Sequence, residues 1–319
     1  MLRYVYLLIA FVSIISCTKK NNLQIDVSEI KINTEIKRFD QEFYKSPSSD
    51  LDELKTSYPY LFPLQNNDSI WVNKMKDKDE QELFAETQKL YSDFDYQKDR
   101  LTDLFKHIKY YFPDFEPPKV ITLLSNVDYN NRVVYADSLL LISLDVYLGQ
   151  ESEIYLDFPN YVKSNFTKDH LIVDVASRIT DVQIPLSSNR TFISRLIQEG
   201  KKMYLLDTYL PKISDAEKIG YTQEQMDWAD FNNQDIWKYF VQNELLFSSD
   251  QELSKRFIDQ APFSKFYQAN DSDSPGRIGV WMGWQIVRSY MKNNDSSLKE
   301  LLKKENEEIF KKSKYKPTK

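Results

Sequence analysis

The chain has 319 residues, 41% hydrophobic and 14% aromatic, enough to build a sizeable core in one large domain or two small ones. Its formal net charge of -6 argues against nonspecific binding to nucleic acid. A single cysteine excludes an intrachain disulfide, and only six glycines are present.

The N-terminus carries Arg3, then an almost wholly apolar run from Leu7 to Ile15 that is too short to span a bilayer, then Ser16-Cys17. Residues 1–16 are therefore expected to be a signal peptide. Ile14-Ile15-Ser16-Cys17 resembles a bacterial lipobox, in which the Cys17 thiol is acylated and becomes the first residue of the mature chain. The alternative is an ordinary signal peptide with an incidental cysteine. The lipobox reading makes the membrane a partner through the lipid on Cys17, with residues 17–30 a lipidated N-terminus and linker. The spacer Thr18-Lys19-Lys20-Asn21-Asn22 lacks an acidic cluster, which points to the periplasmic side of the outer membrane. No later segment approaches 18 uninterrupted apolar residues.

Glu35 to Asp40 reads as a short extended segment, and 49–58 and 68–109 as a helical block. Within that block Leu83, Thr87, Leu90 and Tyr91 share one face at helical spacing, as do Leu101, Leu104 and Ile108. Pro113, Pro117 and Pro118 end it. Residues 119–124, 132–135 and 139–144 read as strands, with a turn at Asn130-Asn131. Helices are expected near 168–181, 190–209, 222–246 and 275–292. Ser274-Pro275 reads as the start of the last, with a serine N-cap and proline in the first turn. The order is α+β and mostly helical, with a small central β-sheet. Lys303 to Lys319 is locally basic, and 306–319 reads as a flexible tail.

With these pieces in place the chain resembles the gliding motility lipoprotein GldB family. The resemblance rests on Phe112-Pro113 with Pro117-Pro118, Leu144-Asp145-Val146-Tyr147-Leu148-Gly149, Pro159-Asn160-Tyr161 and Glu199-Gly200-Lys201 with Tyr204 and Leu210-Pro211. It continues through Ile236-Trp237, Ala261-Pro262-Phe263 and Ser274 to Gly283. That family is similar in layout to zinc metallopeptidases that carry HExxH on one helix and Glu-Gly on a later one. The resemblance implies a single zincin-like domain over 31–305, a role in gliding motility, and other gliding or type IX secretion envelope proteins as partners.

The zinc chemistry itself is not encoded. It needs two imidazoles one helical turn apart, a third ligand and a general base. This chain has only His107 and His170 and no HExxH, so no metal or other cofactor is expected. Where the motif would fall stand Asp174 and Arg178, four apart on one face and expected to pair with each other; arginine remains protonated and cannot ligate metal. Glu199 shares a helix face with Phe192, Leu196 and Met203, and a buried carboxylate needs a partner, for which Arg178, Arg277 or Arg288 are the candidates. Glu199, Asp174, Arg178 and His170 are thus vestigial site candidates, with a structural carboxylate the alternative for Glu199 and, for His170, a capping or surface role or a bridge to Asp174 or Glu199. Asp207 is expected to pair with a lysine. Gly276, Gly279 and Gly283, flanked by Arg277, Trp281 and Trp284, line one side of a helix, either as tight core packing or as the floor of a peptide groove. The leading expectation is a nonenzymatic envelope protein; the alternative is a hydrolase centred on Glu199.

Overall fold

A computed structural model describes residues 25–317 except residue 137. Residues 1–16, Cys17 and the linker up to residue 24 lie outside the described residues. Packing begins ahead of residue 31, since Val27 is already buried.

The strands are β1 (Ile36–Lys37), β2 (Lys119–Leu123), β3 (Val133–Ala136) and β4 (Leu139–Ser143). They form one sheet in the order β1-β2-β4-β3. β1 and β4 run parallel to β2, with Val120 opposite Leu140, while β3 lies antiparallel to β4 along the edge. Buried Val120, Ile121, Leu140 and Ile142 explain the near-continuous apolar runs of the two central strands.

Five helices surround the N-terminal side: α1 (Phe39–Lys45), α2 (Leu51–Ser57), α3 (Asp68–Lys76), α4 (Lys78–Tyr91) and α5 (Asp95–Tyr111). The extended segment expected over 35–40 is cut short because Phe39 turns into α1 and packs on Tyr58, at a ring separation of 5.0 Å. Asn67 and Asp77 cap α3 and α4 through backbone N–H groups. Asp40 is fully buried and ties α1 to the sheet and to α4. It accepts from Arg38 at 2.8 and 2.9 Å, from the Thr122 hydroxyl and from Gln88 at 3.0 Å.

The C-terminal half is helical: α6 (Asn160–Lys163), α7 (Leu171–Gln183), α8 (Phe192–Tyr209), α9 (Asp215–Ile219), α10 (Gln223–Phe231), α11 (Asn233–Gln242), α12 (Glu252–Phe257), α13 (Ile278–Asn293), α14 (Leu298–Lys303) and α15 (Asn306–Ser313). The fold is mostly helical α+β with a small mixed sheet.

Three expectations need correction. The single helix over 222–246 is two, because the Asn232 side chain donates to the Trp228 carbonyl and ends α10. Ser274 does not cap α13. Its hydroxyl lies 2.7 Å from the Asp271 carbonyl and 3.1 Å from the Ser264 carbonyl, to which it donates, and α13 begins three residues after Pro275, from Arg277 in the left-handed region at φ 59. The region 306–319 is not a flexible tail over its described part. Ile309 is fully buried, Asn306 donates to the Ser194 carbonyl at 2.9 Å, and Tyr315 packs edge-on against Trp237. Its lysines occupy only the outer side of an amphipathic helix, so net charge does not reveal the apolar side beneath.

The central packing event is the crossing of α8 and α13. A Cβ on Gly283 would overlap the Leu196 carbonyl, and one on Gly200 would overlap the Gly283 carbonyl. Backbone therefore lies on backbone, with Trp281 and Trp284 fully buried beside it. Gly283→Ala should force the helices apart and lower the unfolding free energy by at least about 2 kcal/mol. Urea denaturation would measure this, and an unchanged midpoint would show that the helices can separate freely.

Candidate functional site

The residues singled out on α7, α8 and α13 are brought into one region, but their partners differ from those expected. Asp174 does not pair with Arg178. It receives a bidentate bond from Arg132, just before β3, at 2.6 and 2.7 Å, and a third bond from the Tyr147 hydroxyl at 2.8 Å. Burial alone would raise the Asp174 carboxyl, but Arg132, then His170, hold it below the usual carboxylate range. Burial and the adjacent Asp174 carboxylate push the Tyr147 hydroxyl well above its ordinary value, so it stays a proton donor.

Arg178 instead donates to the carbonyls of Val133 and Asn130, both at 3.1 Å. It thereby occupies one backbone acceptor of the edge strand, at Val133, where an added peptide strand would otherwise find it, and one in the turn before it, at Asn130. The depression between α7 and β3, about 240 Å³, is lined by Tyr129, Arg132, Asp174, Ser177, Arg178 and Gln260. The charged side chains lining it are thus engaged by protein groups.

His170 is neither exposed nor a side-chain cap. It is buried at the start of α7, with Nδ1 2.9 Å from Glu217 and Nε2 3.7 Å from Asp174, so it bridges two carboxylates. Glu199 is not buried against an arginine. It lies half-buried beside Lys202 at 3.1 Å, and the same lysine reaches Asp181 at 2.9 Å. Burial would lower the Lys202 ammonium, but Glu199 and Asp181 raise it above its ordinary value. The correction follows from helix geometry: Glu199 sits at the margin of the apolar stripe, and a long lysine one turn later reaches back to it. Arg277 donates to the Ile219 carbonyl at the end of α9.

Asp207 has the lysine partner expected of it and more. Fully buried, it accepts from Lys218 at 3.0 Å, from Trp284 Nε1 at 2.8 Å and from Arg288 at 2.7 Å twice. Arg288 also grips Asp215 at 2.6 and 2.9 Å. The five-residue α9 thus joins two networks: Glu217 holds α7 through His170, while Asp215 and Lys218 hold α8 and α13. This element and Arg132, Tyr147 and Glu217 were missed in the sequence. The usable signal was Ser214 capping Glu217 and Gly220 closing the helix at φ 76.

Among the described residues no group of three or more His, Cys, Asp or Glu is arranged to hold a metal ion. Gly279 and Gly283 face the side chain and backbone of α8, and Gly276 lies against the Ala261 carbonyl, so the stripe is filled by protein.

A family model for the gliding motility protein GldB matches residues 20–317. The chain belongs to the GldB family. Searches of curated proteins and of solved structures returned no match. Family membership makes this a gliding-motility protein, and the Glu199-Gly200-Lys201 segment now has a physical description in it. Glu199 pairs with a neighbour, Gly200 permits the helix crossing, and Lys201 is buried with its ammonium 2.7 Å from the Lys304 carbonyl.

Two predictions concern these charges. Asp174→Asn should destabilise by about 3–5 kcal/mol, because it strands the Arg132 guanidinium in the interior. The paired change Asp174→Leu with Arg132→Met should recover much of that loss in chemical denaturation. Burial pulls the Lys201 ammonium down to about 8. Between about pH 8 and 10 the unfolded chain holds this proton and the folded chain sheds it, so stability must rise with pH. The unfolding free energy of the wild type relative to Lys201→Met should climb across that interval by on the order of 3 kcal/mol. A flat difference would show that the ammonium is not desolvated.

Proposed function

We propose that this GldB-family chain is a nonenzymatic binding or assembly component of the gliding machinery. It would be anchored by lipid on Cys17 and face the periplasm from the outer membrane, with other gliding or type IX secretion envelope proteins as its partners. The fold is read as a metallopeptidase-like domain whose catalytic helix pair has become structural.

One observation carries this reading. The polar face of α7, where a hydrolytic centre would need free ligands and a base, is spent on internal bonds: Asp174 to Arg132 and Tyr147, His170 to Glu217, Arg178 to two backbone carbonyls. Such bonds fix the position of helices; they leave no group aimed at a substrate atom. The hydrolase reading centred on Glu199 lacks its partner, because the bonded neighbour of that carboxylate is Lys202.

The test uses full-length protein extracted from membranes in detergent. Elemental analysis is expected to give well under one zinc per chain, and Glu199→Gln is expected to leave gliding intact. Cys17→Ser should move the protein from the membrane fraction to the soluble fraction and abolish gliding. Stoichiometric zinc together with loss of gliding in Glu199→Gln would overturn the nonenzymatic reading, and membrane retention of Cys17→Ser would overturn the anchor.

A further inference from the structure

A large open depression lies away from the networks of α7, α8 and α13. It is a groove of about 1000 Å³ between α4 and the segment 148–154, continuous through Leu83, Asp79 and Ile154 with a second hollow of about 660 Å³. Its floor is apolar: Leu83 and Leu90 from α4, Leu148 and Ile154 from the facing segment. Its rim is acidic: Asp79, Glu82 and Glu86 on one side, Glu151 and Glu153 on the other. Two rim lysines, Lys74 and Lys89, bind Glu80 and Glu86 at 3.1 and 2.6 Å. Glu82 meets Lys78 at 3.4 Å in an exposed pair one turn apart, which screens it only weakly.

Leu83 and Leu90 were expected on the core face of α4 together with Thr87 and Tyr91. The structure buries Thr87 and Tyr91 and leaves Leu90 39% exposed, with Leu83 half-buried. The outward stripe of α4 thus reads Asp79, Glu82, Leu83, Glu86, Leu90, which repeats at three and four residues along about 16 Å of helix. Leu83 reaches the core from this stripe and Leu90 turns away from it, with acidic shoulders on either side. Across the second hollow the wall is rigid. Asn126 and Val127 both adopt left-handed backbone at φ 57 and 59, held by the fully buried Asp145 carboxylate through the Val127 amide at 2.7 Å and the Ser125 amide at 3.1 Å.

We propose that this groove docks a cationic amphipathic helix of a partner protein, its apolar stripe against Leu83, Leu90, Leu148 and Ile154 and its lysines or arginines on the glutamate rim. The inference deepens the binding reading above and rests on it. Charge selects the occupant. An anionic lipid surface would be repelled by the same rim that attracts a basic helix, and helix-in-groove docking uses apolar anchors at three- and four-residue spacing. The groove is long enough for three turns of such a helix beside α4.

The experiment uses the full-length lipoprotein in detergent and a fluorescent 14-residue amphipathic peptide of leucine and lysine. The same peptide with glutamate for lysine, and a scrambled leucine-lysine peptide, serve as controls. Fluorescence anisotropy is expected to show binding of the cationic amphipathic peptide alone, weakening as salt rises. The triple charge reversal Glu82→Lys, Glu151→Lys, Glu153→Lys should weaken it at least tenfold. Leu90→Ser should weaken it while leaving circular dichroism unchanged. The distant reversal Glu224→Lys with Asp227→Lys should have no effect. Equal binding of the scrambled or acidic peptide, or equal loss from the distant reversal, would overturn the proposal. So would preferential binding to anionic vesicles that the groove reversal abolishes. None of these outcomes bears on zinc content or on Glu199→Gln, so the groove can fail while the nonenzymatic reading stands.

Discussion

The contact on which the molecule depends is the backbone-on-backbone crossing of α8 and α13. Gly200 and Gly283 remove the side chains that would separate the two helices, and Leu196 presents its carbonyl to the gap. Close approach has a consequence seven residues along α8, where Asp207 is brought within hydrogen-bonding distance of Trp284 and Arg288 on α13. A carboxylate with so little access to water survives only because four charge-assisted or indole donors converge on it. If the helices sat further apart, those donors would fall short and the burial penalty would remain. The glycines and the charge cluster are therefore one constraint, with steric closeness setting the electrostatic geometry.

The same logic extends through α9. It is too short to be stable alone, yet three of its five residues carry the bonds that join α7 to the crossing pair. Its C-terminal carbonyl is met by Arg277, whose own left-handed backbone starts α13. Arg277 is thus tied to the place where two helices are fixed relative to each other. Polar residues that in a hydrolase would be held ready for substrate are used here as internal struts. Each strut forfeits little stability when complete and much when broken, since removing one partner leaves a desolvated charge.

The sequence was most legible where periodicity alone decides structure. The apolar runs of β2 and β4 and the long repeats of α5, α7, α8 and α13 lie within a few residues of their expected positions. It was least legible where a side chain chooses among several partners at a distance. Arg178 is one turn from Asp174, but Arg132 arrives from the loop before β3 with a better bidentate geometry and displaces it. Glu199 shows the limit of a helical wheel: at the margin of an apolar face, a nearby lysine settles whether the carboxylate is inside or out. The basic C-terminus shows the reverse error, because the apolar side of α15 around Ile309 was outweighed in the reading by its lysines. The family resemblance rested on short segments in order, and the match over 20–317 covers them all.

Leu90 belongs to a different class of departure. Its spacing with Thr87 and Tyr91 satisfies the rule for a buried face, yet the helix is rotated so that Thr87 and Tyr91 turn inward and Leu90 turns out. The rotation has an identifiable cause. Tyr91 donates its hydroxyl to the Tyr147 carbonyl at 2.9 Å and Phe84 stacks on Tyr44 at 5.3 Å, which fixes α4 by two contacts on one side. With that side fixed, the apolar stripe is wider than the core can cover, and its remainder lies against the segment 148–154. The excess is bounded on both margins mainly by carboxylates, five of them in the first hollow against the single lysine Lys89. Wide apolar stripes on otherwise well-packed helices are where soluble domains meet other chains, and the acidic margins restrict which chains those can be.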